Sequence, residues 1–527
     1  MNRIPRRDFI KLTGAAGAGL AAWPLTNAIG AQVTDKPRRP NILVFLTDDQ
    51  GQWAQHAYGN SELITPNLDR LAQQGTRMTN AFTTCPVCSP ARASFFTGRM
   101  PSQHGIHDFL MEGWINDGKA GWTNPWLKDQ TLISELMKAA GYHTGLVGKY
   151  HCGYSRAPQP GFDRWFSYWK AQYPHKGTQH FTDQEKHVVE DGYQSPLLTD
   201  RAVDFLQQHK KNEGAEGKPF FLYVSYVDTH GPHNNAPDDL VAQYQSATFK
   251  DIPDEKFMPC HGMTRDPVSQ DSAQDRKKRI EYYAAVSSLD REVGKVLAAL
   301  ESTGQLDNTL IVYTGDHGLN CGHHGIWEKG NATVPQNFLE ESIRIGCTIS
   351  WPAGGIRQNV TCDDFVNHPD LWATLLEIAG AMPDAAKAAQ INSPGVSYLR
   401  QLRGQSVQNW RQTMICEYGN VRMARTNRYK LIKRYPYAGV KLLDELYDLE
   451  RDLRETKNCH DDPALKPIIQ KLSGELDQFF AKYTVPAHSG LELEHQPKCA
   501  PSSPWLTAAK AADGTGEKKT GQEVELN

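Results

Sequence analysis

From Pro40 onward, short apolar runs alternate with segments whose apolar residues recur every three or four positions. "NILVFLT" (41–47) is apolar almost throughout, the pattern of a strand buried on both faces. "TPNLDRLAQQG" (65–75) predicts a short helix with Thr65 as N-cap, Pro66 in the first turn and Gly75 as its stop. "TLISELMKAAG" (131–141) predicts a second helix, followed by the strand "YHTGLVG" (142–148). "KPFFLYVSYV" (218–227) reads as a strand and "RIEYYAAVSSLDREVGKVLAAL" (279–300) as a long helix. "NTLIVYTG" (308–315) and "RIGCTISWP" (344–352) continue the alternation. The fold class expected is α/β, a large mixed and mainly parallel sheet flanked by helices. After Pro394 the texture changes. "MICEYG", "VRMARTNRYKLIKRY" and "VKLLDELYDLERD" are β-rich, and "ALKPIIQKLSGELDQFFAKY" is one amphipathic helix. The expected organisation is a main domain over 38–404, a smaller α+β subdomain over 405–486 and a polar tail over 487–527.

The first 31 residues stand apart. A basic patch, a weakly apolar Ala/Gly run and small residues near Ala28 to Ala31 form the layout of an export signal. Arg6-Arg7-Asp8-Phe9-Ile10-Lys11 resembles the twin-arginine motif, whose machinery carries proteins already folded. Pro24 and the glycines make the stretch a poor spanning helix, so no stable membrane insertion is expected. The expected destination is the periplasm or the outside of a bacterial cell. A net charge of -3 on 527 residues gives nucleic acid no general attraction, and none is expected as a partner. The ten cysteines are scattered; only Cys85 and Cys88 have motif spacing, and without a second such pair a four-thiolate zinc site is not indicated.

The chemistry sits after the strands. The first ends in Asp48-Asp49, "YHTGLVG" in Lys149-Tyr150-His151, "FFLYVSYV" in Asp228-Thr229-His230-Gly231-Pro232-His233, and "LIVYTG" in Asp316-His317. Ligands of open parallel sheets bind beyond the carboxyl ends of the strands. Three carboxylates suit a hard divalent cation such as calcium or magnesium. Lys149, Lys329 and Arg92 supply positive charge, and His151, His230 and His233 can carry protons near neutral pH. Such an edge suits transfer of a sulfuryl or phosphoryl group, and it needs a nucleophile.

"CSPAR" (88–92) matches C-x-P-x-R, and with "TGRMPSQHG" it resembles the activation motif of the type I sulfatases, members of the alkaline-phosphatase-like superfamily. "RPNILVFLTDDQ", "GKYH", "TGDHGLNCGHHGIWEKG", "EESIRI" and "ELYDLERDLRETKN" extend the resemblance over residues 38 to about 482. The resemblance implies that a maturation enzyme converts Cys88 to Cα-formylglycine, reading Pro90 and Arg92. It implies calcium, with magnesium the alternative, held by Asp48, Asp49, the modified Cys88, Asp316 and His317. Lys149 and Lys329 would balance the sulfate oxygens, and Arg92 would stay close to the nucleophile. His151 would assist release of sulfate, and His230 would protonate the leaving alcohol. His233, His324 and Trp114 are candidate substrate contacts, Trp114 as one of several loop tryptophans that could carry a sugar ring.

The reaction expected is removal of sulfate from a sulfated polysaccharide or oligosaccharide. Two other readings stay open at this point: a phosphonate monoester or phosphodiester hydrolase of the same superfamily, and a non-catalytic sulfoglycan-binding protein.

Overall fold

The computed structural model describes residues 39–111, 115–116, 119–120, 124–170, 175–214, 216–233, 236–269 and 271–512. The expected export signal and Trp114 lie outside these residues.

Ten strands form the main sheet: β1 (Asn41–Thr47), β2 (Thr76–Met78), β3 (His143–Gly148), β4 (Arg164–Tyr168), β5 (Lys176–Asp183), β6 (Lys186–Tyr193), β7 (Phe220–Ser225), β8 (Thr309–Gly315), β9 (Cys347–Ser350) and β10 (Val360–Cys362). Their order across the sheet is β10-β2-β9-β8-β1-β7-β3-β4-β5-β6. The central run β8-β1-β7-β3-β4 is parallel. Antiparallel strands join it on both sides, through β9 and through the β5–β6 hairpin. The sheet is therefore mixed and parallel at its centre, as the alternating pattern requires.

Alternate residues of the central strands feed two separate cores. Ile42, Val44 and Leu46 join Phe221, Tyr223, Leu310 and Val312 on one face, while Leu43 and Phe45 join Leu222, Val224, Ile311 and Tyr313 on the other. Burial on both faces explains why these strands read as continuous apolar runs. Helix α1 (Pro66–Gln73) starts at Thr65, but the threonine hydroxyl caps nothing. The capping acceptor comes from the long helix Ser272–Ser302 instead: Asp290 Oδ1 accepts from the Leu68 N–H at 2.8 Å, and Oδ2 from the Asn67 side chain at 2.8 Å. Gly75 also differs from expectation. It is required for close approach rather than helix termination, because a Cβ there would lie 2.3 Å from the Ile349 carbonyl oxygen.

A four-stranded antiparallel sheet (Met414–Tyr418, Val421–Arg425, Tyr429–Arg434, Glu445–Asp448) and the helix Lys466–Tyr483 follow. The polar stretch after 487 packs as far as Ala512. Leu493, Cys499 and Trp505 are buried, and the Met111 N–H donates to the Cys499 carbonyl at 3.2 Å. The local composition is polar, but three well-spaced apolar anchors suffice to dock it. No described helix is long and apolar enough to cross a membrane.

Candidate active site

Cys88 is the first residue of helix α2 (Cys88–Thr97), which is buried along its whole length. The helix begins there because Val87 is extended and Pro90 occupies the first turn, where its missing N–H costs no hydrogen bond. Arg92 follows four residues on, so it shares a helix face with Cys88. The helix N-terminus adds a favourable field for an anion next to the sulfur.

The parallel strands deliver the rest. Asp48 and Asp49 leave β1, Lys149 leaves β3, and Asp316 and His317 leave β8. Lys149 reaches its position because Gly148, at φ +104°, turns the chain where any Cβ would strike the Ser225 carbonyl at 2.0 Å. Lys149 Nζ donates to Asp48 Oδ2 at 2.5 Å. Arg92 Nε donates to Asp316 Oδ2 at 2.9 Å, while its Nη1 contacts the Lys149 carbonyl, Tyr223 and Ser225 at 3.0, 3.1 and 2.7 Å. Lys329 Nζ pairs with Asp49 Oδ1 and lies 3.5 Å from Cys88 Sγ. His317 Nε2 lies 3.3 Å from the same sulfur. His151 Nε2 donates to the Leu110 carbonyl at 3.0 Å.

Three carboxylates thus face three permanent cations in a space without solvent-exposed carboxylate surface. Burial opposes a charged Cys88, but Lys149, Lys329 and His317 outweigh it and hold the thiol well below the usual range. Burial likewise opposes a charged His317, yet Asp316 lifts it to about 9. Cys85 is the opposite case. Burial raises its thiol well above the usual value with Asp108 and Glu417 adding to the effect, so it is inert beside its neighbour.

The residues fit a divalent cation. Side-chain donor atoms of Asp48, Cys88, Asp316 and His317 all lie within 4.8 Å of one another, as do those of Asp48, Asp49, Cys88 and His230. Asp48 Oδ1 and Asp49 Oδ2 are buried without a hydrogen-bond donor, and an acceptor left so is costly unless a cation meets it.

The structure brings Cys88, Arg92, Lys149, His151, Asp316, His317 and Lys329 together with Asp48 and Asp49. His230 stands half-buried at their edge, and His233 flanks Gly231 just beyond it. His324 is not with them. It is 2 % exposed and bonded to Glu341 at 2.6 Å, with Arg454 at 3.3 Å, so it ties its loop to the C-terminal part of the chain. Trp165, another tryptophan of the chain, is core, packed against Tyr150 and Phe162. Sequence reasoning missed Tyr223 and Ser225, whose hydroxyls anchor Arg92. The signal was present as two hydroxyl residues inside an otherwise apolar strand. It also missed Tyr282, whose hydroxyl donates to the Asp49 carbonyl at 2.9 Å.

A buried, cation-lined nucleophile position beside a carboxylate cluster, at the carboxyl edge of this sheet, defines a hydrolase of anionic esters. A family model described as sulfatase matches residues 40–381, and one described as N-sulphoglucosamine sulphohydrolase, C-terminal, matches residues 322–482. The chain belongs to the sulfatase family, the enzymes that hydrolyse sulfuric esters. It is 27 % identical to an N-acetylglucosamine-6-O-sulfatase of Bacteroides thetaiotaomicron over 83 % of this chain and 86 % of the relative. A solved structure bound to its substrate D-glucosamine-2-N,6-O-disulfate shares the fold, with TM-score 0.68 and 24 % identity over 84 % of this chain and 98 % of that one. The phosphonate monoester hydrolase of Agrobacterium radiobacter shares it too, with TM-score 0.62 and 19 % identity over 84 % and 96 %.

Proposed function

We propose that this enzyme removes sulfate from a sulfated carbohydrate, with Cys88 converted to Cα-formylglycine and a calcium ion held by Asp48, Asp49, residue 88, Asp316 and His317. The observation that supports it most is the setting of Cys88: the residue is 2 % exposed, at a helix N-terminus, with Lys329 and His317 within 3.5 Å of its sulfur. The hydrated aldehyde would supply a nucleophilic hydroxyl, and the cation would withdraw charge from sulfate. The protein's own groups do the rest. Arg92 and Lys149 hold the carboxylates in place, and Lys149 and Lys329 offer ammonium groups to the sulfate oxygens. His230, raised above the ordinary histidine range because Asp49 and Asp48 outweigh burial, keeps a proton for the leaving oxygen. His151, lowered to about 4 by burial and Lys149, is neutral and can accept a proton at residue 88.

A sulfated hexosamine is the substrate that the relatives' names favour. Export through the twin-arginine machinery, and maturation by a formylglycine-generating enzyme before it, complete the proposal. The runner-up is a phosphonate or phosphodiester hydrolase, favoured by the Agrobacterium neighbour. Side-by-side rates on 4-nitrophenyl sulfate and bis-4-nitrophenyl phosphate separate the two. Preference for the phosphodiester would overturn the sulfatase reading of this site.

A further inference from the structure

The floor of the site is closed: Asp48, Asp49, Arg92, Lys149, Asp316 and His317 expose no surface. Among the described residues on this side of the site, His230, Gly231, His233 and Glu328 are half-buried, Pro232 is exposed and Lys329 is 4 % exposed. Among the described residues these line the open side of the site, where a group carrying sulfate would approach.

Glu328 is not among the donor groups gathered around Cys88, and a carboxylate has nothing to offer sulfate oxygens. Yet it is placed deliberately. A Cβ on Gly231 would lie 3.4 Å from Glu328 Oε1 and 4.0 Å from His233 Nε2, so carboxylate and imidazole flank the same glycine one residue past His230. Its carboxyl is close enough to feel Lys329, Asp49, His230 and Cys88. Its backbone is held at φ +80°, where a glycine would sit without strain. The hairpin pairing Asn320 with Glu328, and the Asn320 Nδ2 bond to the Glu328 carbonyl at 2.9 Å, impose that conformation. Strained non-glycine backbone clusters where the side chain serves function, and Asp49 at +51° and His151 at +55° are two more cases around the same sulfur. The nearby cation Lys278 is otherwise engaged, over the Trp327 ring and 3.6 Å from Asp266.

We propose that Glu328 determines specificity: its carboxylate accepts a hydrogen bond from the sugar hydroxyl nearest the sulfate-bearing arm and so aims the ester oxygen at His230. The proposal rests on the sulfated-carbohydrate reading. A half-buried carboxylate that loses its hydroxyl partner discriminates against the analogue lacking it by about 10- to 100-fold.

The test compares N-acetylglucosamine 6-sulfate with its 4-deoxy analogue, using 4-nitrophenyl sulfate as the sugar-free reference. The wild type should lose 10- to 100-fold in kcat/KM on the deoxy compound. Glu328→Ala should fall by a similar factor on the hydroxylated sugar and distinguish the two sugars by less than three-fold. Glu328→Gln, which keeps an acceptor oxygen, should regain part of the discrimination. Losses that multiply, so that Glu328→Ala keeps the wild-type ratio, would show a structural or Lys329-positioning role and overturn the proposal. So would a wild type that treats both sugars alike, or one that hydrolyses only the nitrophenyl ester. Absence of any sulfate-ester turnover would instead sink the underlying sulfatase reading.

Discussion

Lys149 and Asp48 form a close link between the cations and the carboxylates, at 2.5 Å and with no exposed surface on either side chain. Lys149→Met removes one partner and leaves Asp48 with Arg92, 3.6 Å away, and the charge of His230. Breaking a buried pair on one side costs about 3–5 kcal/mol, and the remaining arginine places the expected value at the lower end. Unfolding entropy of about 2.1 cal/mol/K per residue gives roughly 1 kcal/mol/K for a folded body of roughly 470 residues, so Tm should fall by about 3 °C in chelator. Calcium changes the outcome. An ion at 100 times its Kd stabilises by about 2.7 kcal/mol, which raises the wild type by a similar few degrees. Because the ion also meets the Asp48 charge, the deficit of the variant should shrink to under about 1 °C. Differential scanning fluorimetry of both proteins, with EDTA and with saturating calcium, reads all four values without any turnover. A deficit that calcium leaves unchanged would show that Asp48 is no ligand; a wild type indifferent to calcium would refute the cation site.

Four further outcomes are expected. Peptide mass spectrometry should find residue 88 about 18 Da lighter than a cysteine, and Cys88→Ala should abolish turnover; an unmodified thiol in active protein contradicts the mechanism. His230→Ala should cost about 10²–10⁴-fold on a sugar sulfate and far less on 4-nitrophenyl sulfate, whose leaving group needs no proton; equal losses on both would remove His230 from that role. His107, donating to the His488 carbonyl at 2.8 Å, is lowered to about 4 mainly by burial. A depressed histidine is destabilising only once acid charges it, so about 3 kcal/mol should be lost as pH falls from 6.5 to 4, and His107→Gln should flatten that slope in urea titrations at stepped pH. Glu328→Gly should relieve the backbone at φ +80° and raise stability by about 1 kcal/mol; a fall would show that the side chain carries stability.

Much of this was legible because strand ends and chemistry coincide. Asp48-Asp49, Lys149, His230 and Asp316-His317 each follow an apolar run, and the parallel sheet turns that repetition into one pocket. Resemblance supplied what spacing could not, the partnership of Cys88 with Arg92 and Lys329. Three kinds of information stayed out of reach. Asp290 caps a helix more than 200 residues away, an arrangement no local rule describes. His324 carries the same residue type as His151 and His230, the histidines proposed for proton transfer, and only burial against Glu341 and Arg454 separates it from them. Glu328 differs from its neighbours by a backbone angle, which composition and periodicity do not encode. The tail misled for the reverse reason: its average polarity hid Trp505, which packs against Gly419.

The burial of Cys88 also sets a clock. A maturation enzyme needs the side chain and its flanking residues in hand, and at 2 % exposure on a fully enclosed helix neither can be grasped once the sheet has closed. The strand that carries Asp316, the lysine at 329 and the segment around Trp505 are all made after residue 88. At about 5–20 residues per second, the remaining chain takes roughly 20–90 s to emerge. The proposed conversion of Cys88 has to precede closure of the sheet around it, so slowing translation downstream of codon 88 should raise the active fraction, and refolding a purified unmodified chain should yield a sound but inert protein.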